Sequence, residues 1–385
     1  MTRLGDICEK IGSGATPHGG KEAYCLEGIS FVRSQNIGDF SFSANGLAHI
    51  NNEQAKKLSN VELKPNDILL NITGDSVART CIIDSEYLPA RVNQHVAIIR
   101  GKKDIVLSSY LLYFLQWKKK YLLQLASAGA TRNALTKSMI EQLEIELPTI
   151  EQQRKIAGVL DKIQEKIKLN QKINDNLEQQ AAALFSSLYN RSNTEVRYTD
   201  LIQILGGGTP KTGETAYWNG NIAFFTPKDV GTPYTFITEK TITEEGLSHC
   251  NSRLYPVNTV FVTARGTVGK VGLSGVPMAM NQSCYALVGK ETHQLLVYFY
   301  TLKVVDKLKH KASGAVFDAI TTRDFESEQI MKLSDDDARA FLCVAEPMFQ
   351  DILNNSIENL RLSTLRDFLL PKLMSGEIDV SNIQF

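Results

Sequence analysis

"TIEQQRKIAGVLDKIQEKIKLNQKINDNLEQQAAALFSSLY", residues 149–189, decides the fold. It has one glycine, Gly158, and no proline, so it predicts a single long helix. Thr149 followed by Gln152 has the spacing of a capping box at its start. Apolar residues then recur by four and three at Ile156, Leu160, Ile163 and Ile167, give way to Asn170 and Asn174, and resume at Leu177, Ala181, Leu184 and Leu188. That is the period of a coiled-coil seam.

A second seam lies at a constant offset of 185, through Phe341, Ala345, Met348, Ile352, Asn355, Asn359, Leu362 and Leu369. Both asparagines recur in place, and Arg366, standing where the first seam has Ala181, breaks the pattern. Most amphipathic helices pack on their own globule. A helix of this length, however, is a rod of about 60 Å, longer than one such globule covers, so the two rods are expected to pair. Two readings of Asn170, Asn174, Asn355 and Asn359 stand. Across a buried seam they fix alignment and orientation at a cost in stability; on a seam that rotates outward they are merely exposed.

Outward from the helices, the chain is written twice. "YCLEGISFVRSQNI" (24–37) parallels "YWNGNIAFFTPKDV" (217–230), and "LKPNDILLNITGDSVAR" (63–79) parallels "LYPVNTVFVTARGTVGK" (254–270) at an offset of 191. "RVNQHVAII" answers "AMNQSCYAL", and "GATRNALT" (129–136) answers "GAVFDAIT" (314–321). The order never changes and the offset drifts slowly, the mark of a duplication with small insertions and deletions. Short apolar segments such as "ISFV", "DILLNI" and "HVAII", or "IAFF", "TVFVT" and "CYALV", read as strands joined by turns. "SSYLLYFLQWKKKYLLQLA" and "HQLLVYFYTLKVVDKLKHKA" read as a helix late in each copy. The fold class is therefore mixed α+β: two similar domains, each followed by a long helix, with the two helices paired along their seams. The expected boundaries are 1–148 and 191–333 for the domains, 149–190 and 334–376 for the helices, and 377–385 for a tail.

Bulk composition agrees with two units, since 385 residues exceed the usual size of one core. Lys+Arg equals Asp+Glu at 42 each. A chain gripping nucleic acid alone by bulk charge would be more basic, so local contacts or basic partners are implied. Six scattered cysteines without a C-x-x-C pair indicate neither zinc ribbon nor disulfide framework. No signal peptide and no apolar run of about 18 residues are visible, and the expectation is a soluble cytoplasmic protein without a membrane contact.

The search for chemistry finds none. "GATPHGGKEAY" (14–24) and "GGGTPKTGETAYW" (206–218) resemble phosphate loops, but Ala15, Glu22 and Glu214 break the pattern. Their glycines read instead as tight turns leading into the Tyr24 and Tyr217 segments. There is no Pro-Pro of a base-methylating turn, no G-x-S-x-G elbow, no H-E-x-x-H and no histidine pair at ligand spacing. Glu62-Leu-Lys64 is an E-x-K without the Pro-Asp that precedes it in nucleases. The chain reads as a binding scaffold with no catalytic residue and no metal site. Two similar domains a set distance apart suit a ligand with two similar features at a set spacing, and duplex DNA, with successive major grooves about 10 bp apart on one face, is the commonest such ligand.

"GGGTPKTGETAYWNGNIAFFTPKDV", "ELPTIEQQRKIAGVLDKIQEKI" and "LLPKLMSGEI" are similar to the specificity subunits of type I restriction-modification systems, and the similarity covers essentially the whole chain. Cys25 departs from the pattern, standing where the second copy has Trp218. The resemblance implies a non-catalytic subunit with two target-recognition domains, each reading one half of a bipartite double-stranded DNA target, and the two long helices forming an antiparallel coiled coil as ruler. It implies as partners two modification subunits that methylate adenine N6, and restriction subunits that cut the DNA. S-adenosylmethionine, ATP and magnesium would be bound by those partners, leaving this chain without a cofactor of its own. The competing reading is a protein-interaction scaffold that binds no nucleic acid.

The repeat sorts the DNA-binding candidates. Residues identical in both copies, Thr16, Pro17, Asn93 and Gln94 with Thr209, Pro210, Asn281 and Gln282, are expected to be scaffold or sequence-neutral contacts. Arg79 with Lys270 reads as a matched phosphate contact, and Arg265 joins them as a cation of the same loop. Base readers are expected to be polar and unlike at matched positions: Arg33 against Thr226, Gln35 against Lys228, Asn36 against Asp229, Asp75 against Gly266, His95 against Ser283, and Arg132 against Phe317. Each stands against the alternative of an ordinary surface polar residue. Lys118, Lys119 and Lys120, with Lys303, Lys307, Lys309 and Lys311, form basic runs on the late helices that either track DNA or solvate the outer face, and the second reading is favoured.

Overall fold

The two long segments are helices, Ile150–Arg191 and Asp335–Met374, in a computed structural model that describes residues 1–127, 134–231, 233–311, 319–381 and 383. The first begins on the capping box: Gln152 N–H donates to Thr149 Oγ1 at 3.3 Å, and Thr149 N–H donates to Gln152 Oε1 at 3.1 Å. The second begins on Ser334, whose Oγ accepts from Asp337 N–H at 3.1 Å. Asp335, Asp336 and Asp337 fill its first turn, where the helix dipole favours negative charge.

The chain divides into two units, Met1–Ile167 with Leu360–Phe385, and Lys168–Asn359. Both divisions fall inside the long helices, so each unit holds half of each. In the first unit Arg366 Nη1 donates to Gln164 Oε1 at 3.0 Å, and Ile156, Ala157 and Leu160 share a core with Leu370, Leu373 and Met374. In the second, Asn170 Nδ2 donates to Asn359 Oδ1 at 2.9 Å and to Glu358 Oε2 at 2.7 Å. Asn355 Nδ2 donates to Asn174 Oδ1 at 2.9 Å, and Asn174 Nδ2 to Ser356 Oγ at 3.2 Å. In both units rising numbers on one helix meet falling numbers on the other, so the halves run antiparallel.

The asparagines thus meet as two crossed pairs, Asn170 with Asn359 and Asn174 with Asn355, each joining one member of the first repeat to the other member of the second. Asn170 is 1 % exposed. A leucine at Asn359 would take one partner from the buried Asn170 amide. Replacing both members of one pair, Asn170→Leu with Asn359→Leu, is expected to raise the melting temperature while size-exclusion chromatography shows misregistered or oligomeric species. Unchanged melting and a single species would remove the register role.

The seam departs from strict heptads at its ends. Phe185, Phe349, Leu370 and Leu373, which lie off the seam or at its end, are buried, while Leu177, Leu184, Met348 and Leu369 are half-buried. The reason is that each helix half faces its globule as well as the other helix, which widens the apolar stripe. Phe185 packs on Phe299, Tyr300 and Phe341 with ring centroids 5.1 to 5.5 Å apart. Arg366 interrupts the seam because it faces the globule, its guanidinium 4.0 Å from the Phe40 ring centroid. Tyr113 Oη donates to Asp161 at 2.8 Å and Tyr298 Oη to Glu178 at 3.2 Å, and burial holds both carboxyls above their ordinary range.

The globules repeat the same plan. In the first unit Cys8–Ser13, Val96–Gly101, Ile68–Asn71 and Thr80–Ile82 form an antiparallel sheet in that spatial order. A smaller sheet orders Ala48–Ile50, Ile29–Val32 and Ala90–Val92, the last two parallel. In the second unit the order is Ile202–Gly206, Cys284–Gly289, Val260–Thr263 and Val271–Ser274, with Tyr234–Thr235 added at the edge. Its smaller sheet orders Lys240–Ile242, Trp218–Phe225 and Met278–Met280. The late helix is one piece in the second unit, Gln294–Lys311, but two in the first, Ser108–Trp117 and Lys119–Ser127. Among the described residues no helix is long and apolar enough to cross a membrane.

Candidate nucleic-acid interface

Three loops meet at one edge of each globule. In the first unit they are Arg33–Asn36, 72–79 and 93–95, each leaving the end of a strand. Asn93 N–H donates to Val32 O at 3.0 Å and Ile72 N–H to His95 O at 3.0 Å. Asn71 Nδ2 reaches Ser34 O at 2.9 Å and Ser76 Oγ at 3.0 Å. In the second unit Asn281 N–H donates to Phe225 O at 3.0 Å and Ala264 N–H to Ser283 O at 2.8 Å, closing the same edge from 226–229, 264–270 and 281–283. Asn71 and Thr263, whose Oγ1 accepts from Lys270 N–H at 2.9 Å, are the organisers of the middle loop. The sequence signal for them is a single polar residue closing an otherwise apolar strand, "ILLN" and "VFVT".

The doubled glycine loop lies beneath this edge. A Cβ on Gly14 would sit 2.2 Å from Val92 O and 2.3 Å from Asn93 O; one on Gly207 would sit 2.1 Å from Asn281 O and 2.6 Å from Met280 O. These glycines therefore serve close approach of two backbones rather than the tight turn expected of them. The approach supports the Asn-Gln turn. Asn93 Oδ1 accepts from His95 N–H at 3.2 Å, and Asn281 Oδ1 from Ser283 N–H at 3.0 Å. Thr209 Oγ1 donates to Gln282 Oε1. Of the residues identical in both copies, Asn93, Asn281, Thr209 and Gln282 tie the loop together.

The unlike residues divide. Asn36 is fully buried: its Oδ1 accepts from Arg33 N–H at 3.0 Å and its Nδ2 donates to Ser43 O and Asn45 O. Asp229 does the same work, its Oδ2 accepting from Thr226 N–H at 2.8 Å and its Oδ1 from Glu239 N–H at 2.7 Å. Asn and Asp are interchangeable acceptors for a turn N–H three residues back, so this pair is a shared cap and leaves the set of base readers. Thr226 Oγ1 donates to the same Asp229 oxygen at 2.6 Å. Arg33 Nη2 and Gln35 Nε2 both donate to Gly46 O, at 2.7 and 3.2 Å. Lys228 is exposed and 3.5 Å from Glu239.

The middle loop needs a second correction. Gly74 and Gly266 have φ of 78° and 84°, and Ala78 and Gly269 have φ of 65° and 74°. Gly266 is thus the counterpart of Gly74, not of Asp75, and the first unit carries one more residue between the two left-handed positions. Arg79 and Lys270 remain matched, because Asn71 N–H donates to Arg79 O at 2.9 Å and Thr263 N–H to Lys270 O at 3.0 Å. Asp75, Arg79, Arg265 and Lys270 are exposed, with no side-chain hydrogen bond or ion pair among the described residues. His95 is exposed on the rim, its Nδ1 2.7 Å from Thr73 Oγ1; Ser283 is half-buried. Arg132 and Phe317 lie outside the described residues.

Glu62 is tied to Arg91 Nη2 at 3.2 Å, and the nearby Asp67 is fully buried with Arg100 Nε and Nη2 at 2.7 and 2.6 Å. Among the described residues no three His, Cys, Asp or Glu side chains converge as a metal site. What the edge offers is exposed cations and rotatable polar groups on a rigid backbone frame, an arrangement suited to binding a polyanion and reading its edges.

Comparisons with known proteins converge on one description. The model of the type I restriction modification DNA specificity domain matches twice, over residues 1–179 and 190–332. The chain is 24% identical to the type I restriction enzyme HindI specificity subunit of Haemophilus influenzae, over 84% of this chain and 88% of that one. It is 23% identical to the putative type I restriction enzyme MjaX specificity subunit of Methanocaldococcus jannaschii, over 86% and 82%. Its fold is similar to the crystal structure of a type I restriction-modification S subunit from M. genitalium, with a TM-score of 0.57 at 15% identity over 97% and 95% of the two chains.

Proposed function

Because the chain belongs to the family of type I restriction-modification DNA specificity proteins, we propose that each globule reads one half of a bipartite duplex target and that the long helices serve as its spacer. The supporting observation is that one three-loop edge occurs twice on matched backbone hydrogen bonds, with unlike side chains at its rim. A common frame fixes how DNA is held, and Arg33, Gln35 and His95 against Thr226, Lys228 and Ser283 give each half its own sequence. On this reading the chain is non-catalytic and works in the cytoplasm. It docks two modification subunits, which use S-adenosylmethionine to methylate a flipped adenine at N6, and restriction subunits that use ATP and magnesium. The zero net charge follows if DNA is enclosed jointly with those partners.

The test is duplex binding by the chain with its modification subunits. His95→Ala is expected to relax preference in one half of the target, by about 1–3 kcal/mol against the wrong base. Arg79→Ala is expected to weaken all duplexes alike and to lower the slope of log affinity against log salt by about 0.9. A uniform loss for His95→Ala would reassign it to the phosphate backbone. No duplex binding by the complex would leave the protein-interaction scaffold as the reading.

A further inference from the structure

Four lysines lie along the late helix of the second unit, and three are engaged by the protein. Lys303 Nζ donates to Ser186 Oγ at 3.1 Å, Lys307 Nζ to Gln329 O at 3.0 Å, and Lys311 pairs with the buried Glu328. Lys309 is exposed and has no hydrogen bond or ion pair among the described residues. It lies instead across Gly269, where a Cβ would sit 2.7 Å from Lys309 Cε and 3.5 Å from its Nζ. The residue after Gly269 is Lys270, and Arg265 stands at the start of the same loop. The run thus delivers one lysine to the loop that carries Arg265 and Lys270, two cations without a side-chain partner among the described residues, while its other three lysines are engaged elsewhere.

We propose that Lys309 is a phosphate contact of the second unit, completing with Lys270 and Arg265 a three-cation site for the backbone of one DNA strand. Cations brought to one loop without an anionic partner among the described residues favour binding an anion there. The internal repeat adds an independent argument. The first unit has Ala78 in place of Gly269 and, 185 residues before Lys309, Gln124. The glycine that makes room and the lysine that uses the room are present together in one copy and absent together from the other. The site is therefore particular to the second unit and contributes affinity rather than base preference.

This inference rests on the DNA reading above, and the experiment separates the two. Affinity of the chain with its modification subunits for a target duplex is measured from about 50 to about 200 mM salt. Lys309→Gln is expected to lower the slope of log affinity against log salt by about 0.9, leaving sequence preference unchanged. Lys309→Arg should keep the parent slope, and Lys307→Gln, whose parent lysine is already engaged, should keep it too. Gly269→Ala should match Lys309→Gln by displacing the side chain. If the parent binds duplex and Lys309→Gln keeps its slope, the phosphate contact is wrong while the DNA reading stands. If the parent shows no salt-dependent duplex binding, both fall.

Discussion

Gly207→Ala is expected to disable the second unit's recognition edge while the first unit's edge keeps its preference. The added methyl carbon would lie 2.1 Å from Asn281 O and 2.6 Å from Met280 O, both backbone atoms that no side-chain rotation can clear. The Asn-Gln turn must shift, carrying with it Ser283, whose carbonyl accepts from Ala264 and Arg265. Overpacking of this kind costs about 1–3 kcal/mol of stability, and displaced contacts at the edge add a loss of DNA affinity. Gly206→Ala and Gly213→Ala are the controls, since nothing lies within 4 Å of a Cβ at either; they should stay within about 0.5 kcal/mol of the parent. Thermal melting and duplex binding check both. A Gly207→Ala protein indistinguishable from the controls would mean that the edge does not depend on that approach. Gly14→Ala is the same experiment on the first unit, with clashes of 2.2 and 2.3 Å.

The second large effect belongs to stability. Asp67 is 0 % exposed, and its two oxygens receive both Arg100 donors and the Lys64 N–H at 2.7 Å. Asp67→Ala leaves Arg100 without its carboxylate, and breaking a buried pair from one side costs about 3–5 kcal/mol. The second unit already contains an uncharged alternative: by strand register Thr259 and Val288 stand where the first has Asp67 and Arg100. There Thr259 Oγ1 donates to Pro256 O at 2.8 Å, closing the turn that Asp67 closes in the first unit. The double substitution Asp67→Thr with Arg100→Val should therefore recover most of the loss. Hydrogen exchange of the Ile68–Asn71 and Val96–Gly101 amides reports it locally, which matters in a chain whose two units need not unfold together. Equal protection in Asp67→Ala and the parent would contradict the assigned role.

How much of this was legible in the sequence depends on how local the cause is. The capping box at Thr149 and Gln152 and the period of the long helices follow from spacing alone, because helix geometry fixes which residues share a face; that the asparagines pair across the seam is decided by the hydrogen bonds between the helices. The widening of the seam at Phe185 and Phe349 was not legible, since it depends on which globule surface each helix half meets. Unlike residues at matched positions point to an exposed rim group at His95 but to a shared turn cap at Asn36 and Asp229. Two residue types can close the same turn, and only the backbone shows that they do. The mismatch of Asp75 with Gly266 has a similar origin. A one-residue gap can be slid along a sequence at little cost, whereas left-handed φ at Gly74 and Gly266 pins it. Gly14 and Gly207 were read as turn formers because a close approach to a distant backbone leaves no local trace.

The central claim is that two globules each read one half of a split target. Mapping methylated adenines in a host that carries this chain and its partners tests it most directly, using the parent, Arg33→Ala and Lys228→Ala. The account predicts two short specified blocks separated by an unspecified gap of constant length, with Arg33→Ala blurring one block and Lys228→Ala the other. A single contiguous motif, or both blocks changing together under either substitution, would contradict it.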